Sequence, residues 1–225
     1  MAQSITAMRA EIVEAGRRLW SRGYVAAHDG NISARIDARR VLITPTGVSK
    51  GFMKPADLIV VDLEGKPLSG TRKPSSELSL HLAIYRERPD AGSVCHAHPP
   101  IATGFAVAGL PLDACILPEV VIALGSIPII PYGTPGTAEL YAPLLERLKE
   151  HDAFLLANHG AVTVGADIYN AYYKMETLEH FAQISLTARQ IGRVRVLSET
   201  EAESLYALRE RFGVTVTARG KARKR

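Results

Sequence analysis

Apolar residues between Ile5 and Arg22 recur near the helical period, and Gly23 follows where a helix C-cap belongs, so an amphipathic helix is predicted there. Val41 to Thr44 and Leu58 to Asp62 are short β-rich runs. Each is closed by turn residues, Thr46-Gly47 after the first and Glu64-Gly65-Lys66-Pro67 after the second. Ser75 to Arg86 predicts a helix whose first turn holds Ser75, Ser76 and Glu77 in a capping-type start. Ser93 to His98 reads as a strand, and Ile127 to Pro131 is strand-like. A helix is expected over Thr137 to Glu150, a buried strand over Ala153 to Ala157 and a further strand over Ala161 to Gly165. Asp167 to Gln190 predicts a long helix, and Ser198 to Arg211 a last one with Ser198 as N-cap. Strands and helices alternate, which places the chain in the α/β class and leaves the strand order open.

At 225 residues without repeats or a low-complexity linker, the chain fits one domain with a sizeable core. We place that domain at residues 1–213, followed by a basic, disordered tail at 214–225. The longest apolar run, Ile116 to Ile130, is broken by Pro118, Glu119 and Pro128, so no membrane span is expected. The first residues lack a basic start, a hydrophobic block and a small-residue cleavage site, which predicts a cytoplasmic protein. Cys95 and Cys115 are too few for a disulfide framework and read as buried thiols. The net charge of +4 is carried by the tail: RGKARKR holds five basic residues, and the body without it has 22 Lys and Arg against 23 Asp and Glu. A solvated tail explains that charge, and no nucleic-acid-binding motif accompanies it.

Chemistry enters at HAHPP. In a strand, residues two apart face the same way, so His96 and His98 project together with Val94, away from Cys95 and Ala97. Such a pair suits one zinc ion at ~2.1 Å, although HxH alone equally describes two core histidines. His159, in FLLANHGAVTVG, sits at the junction of two β-rich runs and supplies a third imidazole. Three histidines with an open fourth position match catalytic rather than structural zinc; as a plain turn residue His159 would bond only to backbone. Glu77 lies just after Lys73-Pro74-Ser75-Ser76, where two serines and free backbone N–H groups form an anion site. Gly30-Asn31 and Thr46-Gly47 are further turns that could complete it.

Taken in order, DGNIS, ITPTG, KPSSE, HAH and NHG resemble the class II aldolase and adducin-head family, over about Ile5 to Phe212. The resemblance implies a three-layer α/β/α domain around a largely antiparallel sheet, assembled as a homotetramer with active sites between subunits. It further implies that His96, His98, His159 and Glu77 bind zinc. Glu77 would move the proton on carbon, and Gly30, Asn31, Thr46, Gly47, Ser75 and Ser76 would hold a sugar phosphate. The implied reaction is cleavage of a ketose 1-phosphate, such as L-fuculose 1-phosphate, to dihydroxyacetone phosphate and an aldehyde.

Two departures qualify the substrate. Leu117, Pro118 and Glu119 occupy the place of a family tyrosine that protonates the departing aldehyde oxygen, which makes Glu119 a candidate replacement acid. Tyr206 falls inside a helix pattern and does not match the family's late tyrosine. A 4-epimerase, a methylthioribulose-phosphate dehydratase and a sugar-acid phosphate decarboxylase would share the zinc scaffold. A non-catalytic, adducin-like assembly domain would lack the three histidines. Cupin-type metal binding expects a glutamate soon after HxH, and HAHPPIATGF has none. No GxSxG, P-loop or GxGxxG is present.

Overall fold

The computed structural model describes residues 3–134 and 136–224. Met1 and Ala2 of the N-terminal reading and Arg225 of the tail lie outside the described residues. An eight-stranded sheet forms the middle layer, in the order β4-β3-β2-β1-β5-β8-β7-β6. Its strands are β1 (Asn31–Arg35), β2 (Arg40–Ile43), β3 (Ile59–Asp62), β4 (Pro67–Ser69), β5 (Ser93–Ala97), β6 (Ile129–Ile130), β7 (Ala153–Leu156) and β8 (Gly160–Gly165). All described neighbours pair antiparallel except β6 and β7, which are parallel. Helices α1 (Ile5–Ser21), α3 (Pro100–Val107) and α6 (Ile168–Ile191) cover one face, over a core that includes Ile12, Ile32, Cys95, Ala161 and Phe181. Helices α2 (Leu78–Glu87) and α5 (Ala138–Leu145) cover the other, over Val41, Val94, Phe154 and Val162. This is the expected three-layer α/β/α arrangement with a mostly antiparallel sheet.

Local chemistry explains the ends of the elements. Ser4 Oγ accepts from the Ala7 N–H at the start of α1, and Gly23 takes a left-handed φ of 71° just past its end. α2 begins at Leu78, three residues later than the capping pattern suggests. The preceding backbone is held elsewhere: Ser75 N–H donates to Thr44 O and Thr46 N–H to Lys73 O, so residues 73–75 run as a short ladder beside 44–46. α5 ends at Leu145 rather than Glu150; Pro143 inside it has no N–H to give. α7 (Glu199–Tyr206) has the expected Ser198 cap, reinforced by a Glu201 capping box, and yields to a 3-10 turn at Arg209–Phe212.

The described residues after Gly213 lie against the body of the domain. Val216 and Ala218 are buried, Ala114 pairs with Lys221, and Ser198 pairs with Arg223. Arg209 fastens the segment: its Nε donates to Ile122 O and its Nη1 to Val216 O and Ala218 O, each at 2.9 Å. The basic side chains remain at the surface with some paired, Arg219 with Glu203 and Lys221 with Asp113. Arg209→Met is expected to lower stability by about 2–4 kcal/mol, because it strands buried carbonyls that accept from a charged donor. Hydrogen exchange would then rise selectively at 214–224; unchanged protection there would show that another contact docks the segment.

No helix among the described residues is long and apolar enough to cross a membrane.

Candidate active site

His96 lies on β5, opposite Asn31 of β1 and Val162 of β8, and is fully buried. The strand alternation holds: Val94 packs with the α2/α5 core while Cys95 and Ala97 join the opposite one. His98 lies one residue past the end of β5, where its N–H donates to Tyr24 O at 2.9 Å. His159 reaches both through the β7–β8 turn. Asn158 takes φ 56° in that turn, a conformation asparagine tolerates, and Gly160 allows a close approach that no side chain would. A Cβ at Gly160 would stand 2.6 Å from both Ala97 O and His98 Cδ2. The three ring centroids form a triangle with sides of 4.9, 4.8 and 5.1 Å.

The ring nitrogens are sorted by their outer partners. His96 Nδ1–H donates to Ala161 O at 2.9 Å, which turns Nε2 inward. His98 Nδ1 faces Asp29 Oδ2 at 3.5 Å, and its Nε2 stands 3.1 Å from His96 Nε2. Glu77, the residue before α2, bridges the group. Its Oε2 lies 3.1 Å from His96 Nε2 and its Oε1 lies 3.3 Å from His159 Nε2. Four ligands around a tetrahedral ion at ~2.1 Å stand about 3.4 Å from one another, so these separations suit a shared ion. Buried Glu77 Oε1 has no hydrogen-bond partner, which such an ion would supply. The candidate ligand atoms of the three histidines all lie within 4.8 Å of one another.

Electrostatics agrees with that demand. Burial alone would raise the Glu77 carboxyl, but His96, Asn31 and His159 hold it well below the usual carboxylate range. Burial disfavours a charged His96, and the Glu77 carboxylate overrides this and raises it. Burial lowers His98, and lowers His159 to about 4, so both present neutral imidazoles.

Behind Glu77 runs a buried polar ladder. Glu77, His81 and Tyr85 recur every four residues on one face of α2, and Asn31 and Ser33 recur every two on β1. Asn31 Nδ2 donates to Glu77 Oε2 at 2.8 Å, so its Oδ1 accepts from His81 Nε2–H at 2.5 Å. Burial lowers His81 to about 3, and the neutral ring accepts at Nδ1 from Ser33 Oγ–H, 2.6 Å away. Ser33 Oγ in turn accepts from Tyr85 Oη–H at 2.8 Å. Every proton points toward Glu77. His81 and Asp29 carried no assignment in the sequence reading; the 4-residue and 2-residue spacings were the available signal.

The six residues expected around phosphate divide into two sets. Thr46, Gly47 and Ser76 are exposed and brought side by side by the 44–46 and 73–75 ladder. Gly30, Asn31 and Ser75 are buried. Gly30, at φ 71°, has no room for a Cβ, with Val25 Cγ1 at 2.6 Å and His96 O at 2.8 Å. Both ends of the Asn31 amide are engaged in the ladder, and Ser75 Oγ accepts from Glu77 N–H at 3.2 Å. Glu119 sits in the first turn of α4 (Pro118–Ala123), exposed, with no hydrogen bond to the histidine group among the described residues. Tyr206 lies at the end of α7, where its Oη accepts from Gly220 N–H at 2.7 Å.

Residues 10–186 match the family model for the class II aldolase and adducin N-terminal domain. The chain is 37% identical to a 3-oxo-tetronate 4-phosphate decarboxylase of Haemophilus influenzae, over 86% of this chain and 93% of that one. It is 35% identical to a 5-deoxy-D-ribulose 1-phosphate aldolase of Bacillus thuringiensis, over 91% and 96%. A solved L-fuculose 1-phosphate aldolase superposes with a TM-score of 0.84 at 31% identity, covering 95% of this chain and 98% of that one.

Proposed function

The chain belongs to the class II aldolase and adducin family, and from that premise we propose a zinc-dependent lyase that breaks a C–C bond beside the ketone of a phosphorylated sugar. The observation that carries this reading is Glu77, set against His96 and His159 with one carboxylate oxygen buried and unpartnered. His96, His98, His159 and Glu77 would hold the ion, and a set of three imidazoles and a carboxylate suits zinc. When bound, the ion supplies Lewis-acid polarisation of the substrate's carbonyl oxygen.

The protein's own groups do the rest. The exposed Thr46, Gly47 and Ser76 would seat the substrate's phosphate, with backbone N–H and hydroxyl donors. In a ketose 1-phosphate the C4 hydroxyl gives its proton to the Glu77 carboxylate and the C3–C4 bond breaks. The electron pair stays on C3, and the other fragment leaves as an aldehyde. Glu77 then returns that proton at C3, which completes dihydroxyacetone phosphate. The ladder from Tyr85 to Asn31 aims the carboxylate before substrate arrives, so little reorganisation is needed. A homotetramer with shared sites belongs to the same reading.

A decarboxylase is the second reading, supported by the Haemophilus influenzae relative and by Leu117, Pro118 and Glu119 in the tyrosine's place. A 3-oxo-tetronate 4-phosphate carries the same half-molecule, a ketone next to a phosphorylated carbon. Loss of CO2 leaves the electron pair on the same carbon, where Glu77 would deliver a proton taken up from solvent, and again yields dihydroxyacetone phosphate. No C4 hydroxyl has to be deprotonated and reprotonated there.

The test is release of dihydroxyacetone phosphate from a panel of ketose 1-phosphates and from 3-oxo-tetronate 4-phosphate, with and without chelator. Chelator-sensitive release is expected, and the co-product, an aldehyde or CO2, assigns the reaction. Metal-loaded protein that releases none from either class would overturn the lyase reading.

A further inference from the structure

Lys50 is a lysine of 1% exposure in the loop that follows Thr46-Gly47. Its partners are two backbone carbonyls, not a carboxylate: Nζ donates to His28 O at 2.8 Å and to Val48 O at 2.9 Å. One acceptor lies two residues before Gly30 and the other directly follows Gly47. Its stem runs against α1, with Lys50 Cβ 3.4 Å from where a Cβ on Gly16 would stand. A buried ammonium held only by carbonyl dipoles is unfavourable unless a counter-charge completes it.

We propose that Lys50 supplies a buried positive charge to the phosphate subsite, tying its two loops together from behind while the substrate's phosphate on their exposed side balances the ammonium. The proposal rests on the phosphate reading of Thr46, Gly47 and Ser76 given above. Three observations converge on it. The exposed donors Thr46, Gly47 and Ser76 carry no formal charge themselves, and Lys73, whose carbonyl accepts from Thr46 N–H, has an exposed, solvated side chain. Lys50 bonds to the backbone of both the 28–31 and the 46–48 loops. Burial lowers its ammonium to about 8, opposed through space by Asp29, as expected of a charge without a full counter-ion. A charge at such a site is poorly screened by salt and acts on a neighbouring dianion more strongly than a surface lysine would.

Phosphate affinity, read beside melting temperature, separates a charge donor from a structural staple. Zinc-loaded wild type and Lys50→Met are titrated with inorganic phosphate, and melting temperature and phosphate Kd are recorded. Wild type is expected to melt higher as phosphate rises. Lys50→Met keeps the stem and removes the charge. Without phosphate it is expected to melt lower than wild type, because His28 O and Val48 O lose their donor, while its phosphate Kd weakens about tenfold or more. Zinc content is expected to stay the same. Lys50→Gln, which keeps a donor to the carbonyls and drops the charge, is expected to lose phosphate affinity equally and serves if Lys50→Met does not fold. Wild-type phosphate affinity in either folded variant, with a lower melting point, would reduce Lys50 to a staple and overturn the proposal. A wild type whose melting point ignores phosphate, and which phosphate does not inhibit, would overturn the phosphate reading itself and the Lys50 role with it.

Discussion

His96→Ala is expected to strip the metal and reduce kcat/KM by about 10³-fold or more, the loss of several kcal/mol of charge stabilisation at the substrate's carbonyl oxygen. Of the three histidines it is the one with no exposure, and the one that stands within 3.1 Å of both His98 Nε2 and Glu77 Oε2. Its removal leaves two imidazoles and a carboxylate in the group, together with an empty ring-sized space behind them. Ala161 O loses its donor from Nδ1 as well, so the variant is expected to melt lower even when metal-free. Metal content by elemental analysis and turnover on the best substrate of the panel test this together. A variant that keeps stoichiometric metal and activity would refute the ligand assignment.

Legibility in the sequence followed the range of the interactions. HAH and NHG could be read because strand alternation and a tight turn are local, and the sheet places them as that reading requires. Only Gly30-Asn31 was read there, as a turn, and β1 was not predicted, since NISAR is short and half polar. It is nonetheless a central strand, because α2 supplies partners for Asn31 and Ser33 from 46 to 52 residues away. α3 was hidden by Pro99-Pro100 and Gly104. The free N–H groups of Ile101 and Ala102 find their acceptor in buried Glu179, 78 and 77 residues downstream. The C-terminal segment looked solvated because its charges are local while its anchors, Arg209 and the pairings with Ala114 and Ser198, are not. The same distinction divides the site. The histidine group was legible as motifs, whereas the hydrogen-bonded ladder behind Glu77 needed the register of β1 against α2.

Glu77→Gln is expected to separate metal binding from proton transfer. The three histidines remain, and Asn31 Nδ2 can still donate to the amide oxygen, so the metal is expected to be retained, more weakly than in wild type. Turnover is expected to fall about 10²–10⁴-fold, the usual worth of a positioned acid or base, because an amide cannot carry a proton to carbon. Lower turnover alone would not identify that step, since a misplaced ion lowers it too. The partial reaction does. In D2O, metal-loaded wild type is expected to exchange a hydroxymethyl hydrogen of dihydroxyacetone phosphate without any aldehyde present, a loss of signal that proton NMR follows directly. Metal-loaded Glu77→Gln is expected not to exchange it. If the variant exchanges at the wild-type rate, another group moves the proton, and Glu77 is a ligand and nothing more. If exchange is lost while the metal stays, the carboxylate buried against His96 and His159 is the group that protonates carbon in both the aldolase and the decarboxylase readings.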